Sequence, residues 1–487
     1  MRACLSPVLL TPLLLAAAAA SAGADEAPLP RPTYRGEFVL PTGLTLAGTE
    51  FGGISGLDYD AKKGLFYAIS DDRSDNAPAR FYELKLALSD AGIAALDIAA
   101  AIEIDPIHCA THEYNFPNGK TNCSSVTDVG GSEIRRLAGL GDREVDVVFG
   151  GAPCQGFSLI GKRALDDPRN QLVFHYVRIV AELQPKYCVF ENVKGLTLGK
   201  HSAFLKELIA ALGEAGYDVT LPYRVLNAAD YGVPQDRKRL FLLGTRRGLK
   251  PLDYPEPLEK RVTVHEAIGD LPDANGFAEL IGSDAVRTEW YTEATYAKQL
   301  RGLQKDPGNF GYARDFDRDM LTSSLRTEHT ALSQERFLAT EPGKTEPVSR
   351  FRKLPPEGLC NTLRAGTDSA RGAFTSPRPI HPHLPRVITV REAARLHSFP
   401  DWFRFHATKW HGFRQIGNSV PPLLGRAIAS SIIRALEVVP VKPKKTLEPG
   451  STELLGFDMG TAARYFDVPR DTIAQRTRKN TTAAALM

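Results

Sequence analysis

The sequence predicts an α/β protein with a largely parallel sheet, preceded by a β fragment of different texture and interrupted by an irregular insertion. Three observations carry this expectation. Strand and helix signals alternate from about residue 99 to 245. The rhythm disappears over 246–388, which is rich in Pro, Gly, Arg and Asp, and returns as helical patterns at Val390 to Leu396 and Ala427 to Leu436. Residues 25–98 read instead as short strands separated by Gly/Asp turns, as in Phe51-Gly52-Gly53-Ile54-Ser55-Gly56-Leu57 and Gly64 to Asp72, with Ala79 to Leu86 alternating like one more strand.

Within the α/β part the elements follow in order. Ala101-Ile102-Glu103-Ile104-Asp105 is an apolar strand ending in carboxylates. Val145 to Phe149 runs straight into Gly150-Gly151 and then Cys154, which predicts a buried strand ending in a tight loop that presents a thiol. Gln171 to Gln184 carries Leu172, Val173, Tyr176, Val177, Val180 and Leu183 at helical spacing and stops at Pro185. Tyr187 to Phe190 is a second apolar strand, delivering Glu191-Asn192-Val193 at its end. Ser202 can cap a further helix with Phe204, Leu205, Leu208, Ile209 and Leu212 on one face, ending near Gly216. In open α/β sheets, chemistry gathers at the carboxyl ends of the strands, so Cys154 and Glu191 are expected on one rim. Arg237 and Arg239, two residues apart, can face one side of a strand.

Bulk properties narrow the function classes. At 487 residues the chain can hold two or three domains, and a net charge of +3 does not by itself announce a nucleic-acid binder. Six cysteines without CxxC pairs argue against a zinc site or a disulfide framework, suit a reducing compartment, and leave no metal expected. Arg2, the apolar stretch Val8 to Ala20 and Ala22-Gly23-Ala24 read as a secretory leader over 1–24, which points the other way. No other segment is long and apolar enough to span a membrane.

The order of motifs resembles the C5-cytosine DNA methyltransferases from about residue 99 to 435: GGAPCQGFS around Cys154, the tripeptide at Glu191, Gln235-Asp236-Arg237-Lys238-Arg239 and Gln415-Ile416-Gly417-Asn418-Ser419-Val420. Residues 25–98 resemble the secreted phytase-like, esterase-like family, a β-propeller of which this piece would supply one or two blades. The first resemblance implies an S-adenosylmethionine-dependent, Rossmann-like catalytic domain over 99–245 and 389–438. A target-recognition domain over 246–388 and a linker with a helix-turn-helix-like tail over 439–487 complete the division. It implies Cys154 as nucleophile, Glu191 as acid, and Arg237 and Arg239 as cytosine-contacting groups. Glu103, Pro153, Leu172 and Asn418 fall on positions that contact S-adenosyl-L-methionine. Lys162, Arg163 and Arg169 would touch phosphate from a mobile loop over 155–169, and Asn361 to Arg364 would border the DNA face. Arginines 350, 352, 364, 371 and 378 are candidates for reading guanines or phosphates.

The expected partners are duplex DNA and a cognate restriction endonuclease acting on the same site. The expected compartment is the cytoplasm, in conflict with the leader. One departure matters. The family opens with Asp-x-Phe-x-Gly-x-Gly-Gly, a strand and glycine loop against the donor, but the residues before Glu103 are Ala-rich and propeller-like. FGGISG at 51–56 imitates the loop only superficially, and the residue usual for adenine is replaced at Ser125-Val126. The alternatives are a catalytically silent DNA-binding protein and a secreted phytase-like hydrolase.

Overall fold

The computed structural model describes residues 99–151, 171–199, 201–366 and 378–473, together with the backbone of short strands between 45 and 84. The chain divides into two compact units, Met1–Ala95 with Val438–Val441, and Leu96–Glu437 with Lys442–Met487. In the first unit, β1 (Ile54–Asp60), β2 (Leu65–Ser70) and β3 (Arg80–Leu84) form an antiparallel meander. Ile54, Ser55 and Gly56 therefore belong to a hairpin strand, and the FGGISG likeness to a donor loop is not realised there. The leader expected over 1–24 lies outside the described residues.

The second unit begins with β4 (Ala100–Glu103), α1 (Pro106–Asn115), β5 (Lys120–Cys123) and α2 (Gly131–Leu137). Asp105 does not end a strand but caps α1, its carboxylate accepting from the Ile107 amide at 3.0 Å with Pro106 in the first turn. β4 and β5 pair in parallel, Ala100 with Lys120 through Glu103 with Cys123. Next come β6 (Val147–Gly150), α3 (Gln171–Leu183), β7 (Tyr187–Val193) and α4 (His201–Glu214). Ser202 lies inside the first turn of α4, where its hydroxyl donates back to the Gly199 carbonyl instead of capping.

β8 (Tyr217–Val219), β9 (Arg224–Asn227) and β10 (Lys238–Arg246) complete the main sheet. β6 is parallel to β7, but β7 pairs antiparallel with β10, and β8 and β9 both pair antiparallel with β10. The sheet is thus mixed where a largely parallel one was expected. For β9 and β10 the reason is local: the ten residues 228–237 between them are too few for a parallel crossover, which leaves an antiparallel return.

Strand alternation sorts the core into two layers. Cys188, Phe190, Leu240 and Leu242 face α3 and α4, where they meet Val173, Val177, Leu205 and Leu208. Tyr187, Val189, Phe241 and Leu243 face the other way, against Leu424, Ile428 and Ile432 of α7 (Pro422–Ala435). Between them in sequence lie α5 (Val390–Leu396), entered through a capping box of Thr389 and Glu392, and α6 (Lys409–Asn418).

Among the described residues of 247–388 the elements are short helices and two-residue strands, as the weak periodicity predicts. It is not a separately packed body, however. Val264, Ile268, Tyr296, Leu354 and Leu363 share one core with Val390, Leu396, Phe405 and Ile416, so the boundary expected at 388/389 does not interrupt the packing.

The tail also departs from expectation. Thr446–Leu447 pairs with Ala313–Arg314, and α8 (Met459–Tyr465) packs on α1. Leu454 and Leu455 bury against Ala110 and Tyr114, and the Tyr465 hydroxyl donates to Glu113 at 2.7 Å. Ala462 and Ala463 are buried, as a small helical core requires. A second helix of a helix-turn-helix is not among the described residues.

Candidate active site

The rim of the main sheet is built by register. Glu191 pairs with Phe241 and Val193 with Arg239, so Glu191 and Arg239 are diagonal neighbours on one face. Arg239 Nε lies 3.0 Å from Glu191 Oε1, with only 13% and 17% of the two side chains exposed. Glu191 belongs to β7 itself instead of following it, because the strand continues through Val193. Burial pushes its carboxyl above the usual carboxylate range, and the guanidinium of Arg239, then that of Arg237, opposes the rise. The result is a carboxyl group held within reach of protonation beside a cation.

Cys154 and Pro153 lie outside the described residues, as do Lys162, Arg163 and Arg169. The start of their loop is described. An ideal Cβ at Gly151 would sit 3.0 Å from Glu191 Oε2, and one at Gly150 would sit 3.1 Å from the Tyr176 ring. Two consecutive glycines thus bring the backbone over the Glu191 carboxylate three residues before Cys154.

Arg237 takes a different part from Arg239. It is 1% exposed. Nη1 donates to the Leu363 carbonyl at 2.7 Å, and Nη2 to the carbonyls of Gly417 and Ser419 at 2.8 and 2.9 Å. Desolvation, then the neighbouring Arg239, lowers its pKa to about 9, and the Glu191 carboxylate opposes the fall. It is a positioning residue that fastens the Asn361–Arg364 segment and the Gly417-Asn418-Ser419 segment to the sheet.

Gln235 works beside it. Its carbonyl accepts from the Leu363 amide at 3.1 Å, and its amide nitrogen is 3.0 Å from His397 Nδ1, which places the proton of His397 on Nε2, donating to the Ser419 carbonyl at 3.2 Å. Burial drives the His397 pKa well below its ordinary value, so the ring is neutral. His397 was not foreseen. Its signal is only the His-Ser-Phe-Pro run after a helix, which has no spacing relation to the other motifs. Gly417 makes the closure possible, since a Cβ there would come within 2.3 Å of Ala365 N and Arg364 C.

The proposed donor residues occupy strand and helix ends. Glu103 ends β4, is partly exposed, and accepts from the Asp105 amide at 2.9 Å. Ile104 beside it is 39% exposed, an apolar face next to the acid. Leu172 lies half-buried in the first turn of α3, and Asn418 is exposed at the end of α6. Ser124 Oγ, just past the carboxyl end of β5, and His108 Nε2, in the first turn of α1 and 3.8 Å from Asp105 Oδ2, are buried without a hydrogen-bond partner among the described residues. An acid, an apolar shelf and two unsatisfied polar atoms fit the ribose and base of an adenosyl group. The part of the site that would hold the amino-acid moiety has no glycine loop upstream of Glu103.

Of the insertion arginines, Arg350, Arg352 and Arg364 are exposed, Arg378 stacks over Phe413 at 5.8 Å, and Arg371 lies outside the described residues. The neighbouring Arg386, Arg391 and Arg395 are buried in ion pairs with Glu392, Asp401 and Asp270. Cys109, Cys123, Cys188 and Cys360 are buried free thiols. No metal-binding cluster and no membrane-length apolar helix occurs among the described residues.

Comparison with known proteins agrees with this geometry. Residues 83–434 match the family model for C-5 cytosine-specific DNA methylase, and 49–112 match one described as esterase-like activity of phytase. Neither covers residues 1–24. The chain is 63% identical over 385 residues to the type II methyltransferase M.XorII of Xanthomonas oryzae pv. oryzae, spanning 79% of this chain and 91% of that one. It is 32% identical to M.AgeI of Thalassovita gelatinovora, over 66% of this chain and 91% of that one. Among solved structures, a DNA modification methyltransferase encoded within an E. coli prophage superposes with a TM-score of 0.58 at 34% identity, covering 70% of this chain and 93% of that one. The chain belongs to the C-5 cytosine-specific DNA methylase family.

Proposed function

We propose that the chain methylates C5 of a flipped cytosine in duplex DNA as the modification half of a type II restriction-modification pair, with Cys154 as nucleophile and Glu191 as general acid. The single observation that carries this is the approach of Gly151, three residues before Cys154 in the chain, to a Glu191 carboxylate already paired with Arg239.

Cytosine C5 is a poor nucleophile in the intact ring. Addition of the Cys154 thiolate to C6 forms a C–S bond and moves the ring electrons toward C5 and N3. Glu191, its acid form favoured by burial, donates its proton to N3 and prevents charge from building there. Arg239 orients that carboxyl and holds its pKa from rising further. Arg237, Gln235 and His397 fix the wall formed by residues 361–364 and 417–419.

S-adenosyl-L-methionine, when bound, supplies an electrophilic methyl group on a sulfonium. Glu103 would hold its ribose hydroxyls, with Ile104 and Leu172 giving apolar contact and Pro153 and Asn418 lining the approach. Once C5 carries the methyl group, transfer of its proton to a solvent base, breaking of the C–S bond with departure of the thiolate, and return of the N3 proton to Glu191 would restore the aromatic ring and the acid. Flipping costs a few kcal/mol, repaid by contacts in the pocket. The exposure of arginines 350, 352 and 364 supports a part for them in phosphate or base contact.

Duplex containing 5-fluorocytosine, which cannot release its C5 substituent as a proton, tests the reading. Incubation with donor should yield a covalent protein–DNA adduct in the wild type and none in Cys154→Ala. An adduct that persists in Cys154→Ala sinks the assignment. A second reading, a DNA-binding protein without methyl transfer, is favoured by one observation: β4 and β5 form a ribbon separate from the main sheet.

A further inference from the structure

The four described free thiols are not alike. Cys188 lies beside Tyr176 and Gly244, and the Cys360 thiol donates to the Asn361 carbonyl at 3.0 Å. Cys109 and Cys123, by contrast, converge on one stretch of backbone. Cys109 lies in the first turn of α1, and Cys123 is the last residue of β5, where it pairs with Glu103 at the end of β4. The Cys109 thiol donates to the Glu103 carbonyl at 3.2 Å and the Cys123 thiol to the Ile104 carbonyl at 3.9 Å. The two side chains also hydrogen-bond to each other. One buried cysteine is ordinarily a small apolar filler. Two whose sulfurs meet beside the same peptide unit have a chemistry in common.

The pair is asymmetric. Cys109 is fully buried, whereas Cys123 keeps 7% of its surface exposed. The hydrogen bond with Cys109 lowers the Cys123 thiol below its ordinary range, with burial and the carboxylates of Glu103 and Asp105 opposing. The same bond, then burial, pushes the Cys109 thiol up. Thiolate is the reactive form, so Cys123 is the attacking sulfur and Cys109 the resolving one.

We propose that Cys109 and Cys123 are a peroxide-responsive dithiol, whose closure to a disulfide displaces the Glu103–Ile104 backbone and weakens donor binding. The Cys123 thiolate attacks one oxygen of hydrogen peroxide. The O–O bond breaks, a sulfenic acid forms on Cys123, and the departing hydroxide takes up a proton to become water. The Cys109 sulfur then attacks the sulfenic sulfur. An S–S bond forms, the S–O bond breaks, and a second water leaves with the Cys109 proton. Two thiols thus lose two electrons and two protons, and one peroxide becomes two waters. Closure draws the sulfurs to about 2.05 Å and removes both S–H donors. The carbonyls of Glu103 and Ile104 each lose a partner at the end of β4, where Glu103 retains the Ser124 amide at 3.0 Å. The link from this movement to the donor rests on the methyltransferase reading of Glu103; the disulfide itself does not.

The test exposes the reduced full-length chain to hydrogen peroxide, blocks the remaining thiols by alkylation and maps the peptides by mass spectrometry. The peptides of Cys109 and Cys123 should be joined with loss of two hydrogens, and a phosphine reductant should separate them. The bond should form at least tenfold faster in the folded chain than in urea. Cys109→Ser should stop at a sulfenic acid on Cys123, trapped by dimedone, whereas Cys123→Ser should leave Cys109 a thiol. Affinity for S-adenosyl-L-methionine, measured by calorimetry, should fall at least tenfold on oxidation and return on reduction, and the two serine variants should not respond. Failure of the bond to form, an equal rate in urea, or pairing of either sulfur with another cysteine overturns the proposal. So does a disulfide that leaves donor affinity unchanged. A disulfide in a chain whose reduced form binds no donor leaves the dithiol standing and counts against the functional reading of Glu103.

Discussion

Replacing Gly417 by Ala should destabilise the protein, although the same change in a helix interior normally helps. Gly417 is the next-to-last residue of α6, and Gly→Ala there gains roughly 0.5–1 kcal/mol from helix propensity. Against this, the new methyl would lie 2.3 Å from Ala365 N and Arg364 C and 2.7 Å from Ala365 Cα. Carbon atoms prefer roughly 3.5–4.0 Å, so backbone must move by about 1 Å or more, and no side-chain rotation can relieve it.

Overpacking of this kind costs about 1–3 kcal/mol. The segment pushed away carries the Leu363 carbonyl held by Arg237, and losing a hydrogen bond to a charged donor adds about 1.5–3 kcal/mol. The net expectation is a loss of about 2–5 kcal/mol. Gly425 in α7 is the internal control. Nothing lies within 4 Å of an ideal Cβ there, so Gly425→Ala should gain about 0.5–1 kcal/mol. Urea unfolding followed by circular dichroism would place the two midpoints on opposite sides of the wild type. A Gly417→Ala protein at least as stable as the wild type would refute the reasoning.

Other outcomes follow from the site and the tail. Arg239→Gln removes a cation that lowers the Glu191 pKa, so the descending limb of kcat/KM, where Glu191 loses its proton as pH rises, should move to higher pH as well as lower in height. A limb that moves to lower pH would show that Glu191 is not the titrating acid. Deleting residues after 440 strips Leu454 and Leu455 from α1, worth about 1.5–3 kcal/mol per buried leucine, and hydrogen exchange in Pro106–Asn115 should accelerate strongly. DNA affinity, measured by mobility shift, should fall steeply with salt in the full chain, and this deletion should leave the slope nearly unchanged.

What the sequence made legible was local. The strand Val147–Gly150 is legible because its apolar run ends at Gly150-Gly151, while the Cys154 loop expected next lies outside the described residues. The helix over Gln171–Leu183 is legible because its apolar spacing and Pro185 act within one segment. Glu191 and Arg239 were each identified by motif, and their diagonal pairing then follows from strand register.

The part played by Arg237 was not legible, because all three of its acceptors are backbone carbonyls, which have no residue identity to read. The tail misled for a related reason. Small buried alanines mark a helix that packs on something, and the sequence does not say that the something is α1, more than 340 residues away, as the pairing of Tyr465 with Glu113 shows. The mixed sheet escaped because strand direction is set by turn length and pairing, not by the apolar pattern that marks a strand.

The Arg237 clasp also has a consequence in time. Its acceptors at Gly417 and Ser419 lie 180 and 182 residues further along the chain. At a synthesis rate of about 5–20 residues per second, they leave the ribosome roughly 10–40 seconds after the arginine does. Through that interval the residues of the Glu191 strand have been made, but residues 417–419 have not. A nascent chain therefore carries Arg237 well before two of the three carbonyls that hold it have been made.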